Sequence, residues 1–154
     1  MNPDEPAAPA SDTPPMLSGD AIILARLQQV DGIDVAVGLA AVGGHVGVYC
    51  RLLARFIQTH EQDARSWLLD VDTGDPAGLR KQAHRVQGAA ATLGLINIDE
   101  AARRFGVALS EDVPADERVP LAAQLALSLE ATLRDLRAIP EVASALSGLP
   151  PAAR

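Results

Sequence analysis

At 154 residues the chain is long enough for one domain that buries about two-thirds of its unfolded surface, and too short to expect two. Hydrophobic residues make up 48% of it and aromatics only 3%, so the interior must be built from Leu, Ala, Val and Ile, a mixture that suits closely packed helices. A net charge of −7 argues against nucleic acid and against direct membrane insertion or an anionic membrane surface, and leaves proteins as the expected partners.

In chain order, residues 1–18 scatter Pro3, Pro6, Pro9, Pro14 and Pro15 among Ala, Ser, Asp and Glu. That composition predicts a disordered linker or tail. The segment has neither the basic flank and apolar run of a signal peptide, nor does any later segment reach the roughly 20 consecutive apolar residues of a membrane span. A cytoplasmic protein is expected, and the single Cys50 reads as a buried thiol in a reducing compartment. Ala21 to about Gln29 predicts a first helix with Ile22, Ile23 and Leu27 inward, and Asp34 predicts the cap of a short second one ending at Gly43. From His45 to Gln62 the residues Tyr49, Leu52, Leu53, Phe56 and Ile57 form a broad apolar stripe. Trp67, Leu68 and Val71 continue it beyond the polar Glu61-Gln62-Asp63, as one kinked helix or two.

Asp75-Pro76 supplies an N-cap and a favourable first helical residue, and Gly94 a C-terminal stop. Between them Leu79, Ala83, Val86, Ala90 and Leu93 recur at steps of four and three, which stacks them on one core-facing side. His84 falls opposite that stripe, with Arg80, Lys81, Gln87, Gly88 and Ala91 on the same outward face. A glycine inside a helix costs about 1 kcal/mol relative to alanine, so Gly88 calls for a reason: close approach of another surface onto the imidazole, or tight packing of neighbouring helices. Asn97 is expected to cap a helix carrying Ile98, Ala101, Ala102, Phe105, Ala108 and Leu109. Pro114 precedes a last helix with Leu125, Leu129, Leu133 and Leu136 in register, which Pro140 ends. No segment alternates with period two. The expectation is an all-α protein: an antiparallel four-helix bundle over 19–140 with short N-terminal helices, followed by a frayed tail over 141–154.

The stretch Ala83-His84-Arg85-Val86-Gln87-Gly88-Ala89-Ala90-Ala91-Thr92-Leu93-Gly94-Leu95 resembles the signature of histidine-containing phosphotransfer (HPt) domains of bacterial multistep phosphorelays. Upstream, Gly32-Ile33-Asp34-Val35, Gly38-Leu39, Gly43-Gly44, Tyr49, Leu52-Leu53, Phe56-Ile57 and His60 are similar to the lead-in of those domains, and the likeness runs from about Gly19 to Ile139. One position departs from the pattern: Gln87 stands where the family carries a lysine.

The resemblance implies a phosphocarrier and not an enzyme. His84 would take a phosphoryl group from a phospho-aspartate on the receiver domain of a response regulator or hybrid sensor kinase and pass it to another receiver. The chain would need no cofactor of its own, and Mg²⁺ would sit on the receiver. An unperturbed imidazole, with a pKa of about 6.5, is largely unprotonated at neutral pH and free to attack phosphorus. Gln87, Arg80 and Lys81 are the phosphate-proximal candidates. Gly88 and Ala91, with Ile22 and Ile23, are the docking candidates. Gln87 also raises an alternative, a helical interaction module that binds a receiver or kinase with weak or lost transfer. No histidine pair has the close spacing of a zinc motif, and Ser110, Ser128 and Cys50 are not placed beside a base, so hydrolase chemistry has no support. Asp99-Glu100 fits acids attracted to a helix start.

Overall fold

The structure, a computed structural model, describes residues 18–72 and 74–152. Among them the chain forms eight helices and no strand: α1 (Gly19–Leu27), α2 (Val35–Ala41), α3 (Val46–His60), α4 (Asp63–Asp70), α5 (Pro76–Leu93), α6 (Ile96–Ser110), α7 (Ala115–Arg137) and α8 (Pro140–Ser147). The expectation of a disordered 1–18 segment falls, apart from Ser18, outside the described residues. Ser18 itself caps α1, its Oγ accepting from Ala21 N–H at 3.3 Å.

The four walls of the bundle are α3 continued by α4, then α5, α6 and α7. Helix α5 packs on α6 and α3, and α7 on α6 and α4. Short links between α5 and α6 and between α6 and α7 make these neighbours antiparallel hairpins. Tyr49, Ile57, Trp67, Phe105, Leu125, Leu129 and Leu136 are fully buried between the walls. Tyr49 also ties α3 to the end of α5, because its Oη donates to the Leu93 carbonyl at 2.7 Å.

The α5–α6 link is held from outside the hairpin. Gly94 ends α5 at φ +73°, a conformation that side chains disfavour, and a Cβ there would run into the Asp34 carbonyl. Asp34 N–H donates to the Gly94 carbonyl at 2.7 Å and Ile96 N–H to the Gly32 carbonyl at 2.8 Å. The α1–α2 loop thereby clamps the turn that sets the register of α5 against α6.

Three expectations are corrected. Asn97 does not cap α6: Leu95 occupies the cap, because the backbone on either side of it is already bonded to the Gly32–Asp34 strip, and the Asn97 amide instead donates to Asp31 at 3.3 Å. Residues 141–147 are helical and not part of a frayed tail. Pro140 ends α7 yet suits the first turn of a new helix, and α8 packs on α3 with Val142 fully buried. Arg26–Glu141 (2.8 Å) and Gln58 Nε2 donating to the Pro150 carbonyl (2.6 Å) hold its two ends. The first helix turns Ile22 outward, 40% exposed, while Leu27 is buried and Ile23 half-buried. Of the two alternatives for the long apolar stripe, the structure adopts two helices, which part at Glu61-Gln62, where His60 Nδ1 and Asp63 Oδ2 lie 2.6 Å apart.

No single helix among the described residues is long and apolar enough to cross a membrane. One bent pair, α2 with α3–α4, reaches that length and composition across a 102° bend, and its Tyr49, Leu53, Ile57 and Trp67 are spent on the core.

Candidate functional site

Helix α5 is built by local rules. Asp75 accepts from Ala77 N–H and Gly78 N–H at 3.0 and 3.1 Å, so two of the amides that a helix start leaves open are satisfied. Leu79, Ala83, Val86, Ala90 and Leu93 are all buried. That stripe fixes the rotation of the helix and leaves His84, midway along it, exposed to solvent.

His84 lies in a groove between α5 and α6 with a volume of about 540 Å³. Arg80, Lys81, His84 and Gln87 form the α5 wall, and Ala102, Arg103, Gly106, Val107, Ser110 and Glu111 the α6 wall. Among the described residues the side chains of His84, Arg80, Lys81 and Arg103 have no hydrogen bond or ion pair. The Ser110 hydroxyl donates to the Gly106 carbonyl at 2.9 Å. Three uncommitted cations and one carboxylate thus surround the histidine in a chain whose net charge is −7. Such a groove attracts anions.

Arg103 and Gly106 were not among the candidates read from the sequence. Each lies on another helix from His84, and the signal that finds them is the register counted outward from the Gly94 turn. The structure brings Arg80, Lys81, Gln87 and His84 together in one groove. Gly88 faces a second groove, of about 450 Å³, between α5 and the Leu52, Phe56 and His60 side of α3. Gly88 and Ala91 are both exposed, and a Cβ on Gly88 would meet nothing within 4 Å. Ile22 and Ile23 are not brought to either groove; α1 packs against α3.

Cys50 and Tyr49 do not line the His84 groove. Burial pushes the Cys50 thiol up from its ordinary range, with Glu141 and Asp20 adding to the effect, which keeps it protonated and unreactive. The Tyr49 phenol is pushed up to about 12 by burial, then by Cys50 and Asp34. Among the described residues no three His, Cys, Asp or Glu side chains gather as a metal site would require.

The described residues thus form an all-helical bundle that holds one exposed histidine in a cationic groove at its surface. The family comparison is in keeping with that geometry: the Hpt domain model matches residues 51–139, more than half of the chain and the whole of α5 and α6. The chain belongs to the Hpt domain family, whose members are phosphotransfer modules of phosphorelays and work with receiver domains. No curated protein and no solved structure matches the chain in the corresponding comparisons.

Proposed function

We propose that the chain is a histidine phosphocarrier in which His84 takes a phosphoryl group from a receiver aspartate and returns it to another. The observation that carries this reading is the exposed, unpartnered His84 at the middle of α5, inside a groove whose walls contribute three free cations. In the forward step the lone pair of one ring nitrogen forms an N–P bond while the P–O bond to the donor carboxylate breaks. The electron pair of that bond leaves on the aspartate, and the second ring nitrogen keeps its proton. The chain's contribution is to present the imidazole for in-line attack and to balance charge on the phosphoryl oxygens. Mg²⁺ belongs to the receiver in this scheme, and the carrier acts as a stoichiometric partner in the cytoplasm.

Incubation with a phosphorylated receiver in Mg²⁺ tests the reading. Label should appear on the chain as an acid-labile, alkali-stable adduct and vanish in His84→Ala. Label retained in His84→Ala would assign the chemistry to another residue. Gln87, a neutral amide at the lysine position, favours the second reading of a binding module without transfer; tight receiver binding with no label on the wild-type chain would establish it.

A further inference from the structure

We infer that Arg103 of α6 supplies, from the opposite wall of the groove, the positive charge that Gln87 does not carry on α5, and that it is the direct ligand of the phosphoryl group on His84. This rests on the phosphocarrier reading of His84.

The register of the hairpin makes the argument. Helices α5 and α6 are joined only by Gly94 and Leu95, so positions equally distant from that link lie at about the same level along the two axes. Counted this way, Gly106, Arg103 and Ser110 fall within one residue of the levels of His84, Gln87 and Arg80, and all six line the one groove. Gly106 has no Cβ, and one built there would meet nothing within 4 Å. The space directly across from the imidazole is therefore open, with room for a tetrahedral group.

Arg103 is also available. Its neighbour Arg104 is engaged by Glu100 at 2.8 Å, whereas the Arg103 side chain has no hydrogen bond or ion pair among the described residues. It borders the adjoining α6–α7 groove with Glu111 and Glu117, and bonds to neither. Glu111 is the one carboxylate in the His84 groove, and the same register sets it beyond Arg80, at the far end from Gln87. A guanidinium offers two parallel N–H donors to a pair of phosphoryl oxygens, where the Gln87 amide offers a neutral one. Arg80 and Lys81 lie one turn to the other side of His84, so the cations bracket the ring from both ends.

The test uses the whole chain and a small P–N phosphodonor, phosphoramidate, which gives up its phosphoryl group to His84 with loss of ammonia and so removes any receiver contribution. Arg103→Ala should label about tenfold more slowly than wild type at low ionic strength, the factor expected for one charge-assisted bond, and its phospho-His84 should hydrolyse faster. The deficit should shrink in high salt, because the groove is open to solvent. Arg103→Lys should recover part of the rate. Moving the charge back across the groove, in Gln87→Lys combined with Arg103→Ala, should restore labelling towards wild type, a rescue that a merely structural arginine would not show. Unchanged labelling and lifetime in Arg103→Ala, with circular dichroism confirming the bundle, would overturn the inference and leave His84 as the carrier. Failure of the double variant to rescue a slow Arg103→Ala would overturn the charge-replacement argument. A wild-type chain that takes no label at His84 from either donor would overturn the phosphocarrier reading itself, and this inference with it.

Discussion

Gly88 is where stability and docking should separate under one substitution. It lies in the interior of α5, exposed, with nothing within 4 Å of where a Cβ would project. Alanine there meets no steric cost and relieves the conformational cost of glycine in a helix, so Gly88→Ala should stabilise the bundle by about 0.8 kcal/mol. For a domain of this size that is a rise of about 3 °C in Tm. Gly38→Ala, on the buried side of α2, should behave oppositely, because its methyl would run into the Tyr49 ring and cost about 1–3 kcal/mol as overpacking. Gly88→Phe places a ring over the α3–α5 groove beside His84, and should weaken receiver binding about tenfold or more, some 1.4 kcal/mol, while the circular dichroism spectrum is retained. Thermal unfolding and titration calorimetry with a cognate receiver, on wild type and the three variants, give both readouts. Gly88→Ala melting below wild type would refute the reading of an open helical position. Folded Gly88→Phe binding with unaltered affinity would refute the idea that the glycine admits a partner.

Three further outcomes are expected. The Tyr49 phenol is raised to about 12 in the fold, so the stability that its neutral form contributes is complete below pH 10 and is lost as pH rises towards 12. About 2–3 kcal/mol should disappear over that window, and urea midpoints for Tyr49→Phe should show a visibly shallower decline; parallel declines would dismiss the assignment. A chain ending at Ile139 lacks α8 and uncovers the face of α3 that Val142 seals, so its unfolding free energy should fall by about 2 kcal/mol or more; a loss near zero would restore the frayed tail. Asp75→Ala removes the acceptor of two α5 amides and should cost about 1 kcal/mol, measured by the same denaturant titration; no loss would mean that Pro76 alone starts the helix.

Helix α5 was legible from its residues because everything that specifies it is local: the Asp75-Pro76 start, the apolar spacing from Leu79 to Leu93, the Gly94 stop and the outward His84. The same holds for Asp34 as the cap of α2, whose Oδ1 accepts from Val37 N–H at 3.2 Å, and for the aliphatic core. Membership of the Hpt family followed from a string of residues that is likewise contiguous. Tertiary structure decided the rest, because periodicity states which side of a helix is apolar and says nothing of which neighbour covers it. Leu95 took the cap expected of Asn97 since the α1–α2 loop binds the turn. Residues after Pro140 became a packed helix since α3 offers them an apolar face. Arg103 came to the histidine groove since a clamped two-residue link sets the register of α6 against α5. Only one wall of the site at His84 is written contiguously in the chain; the other is positioned by contacts between segments distant in sequence, which a one-dimensional pattern does not encode.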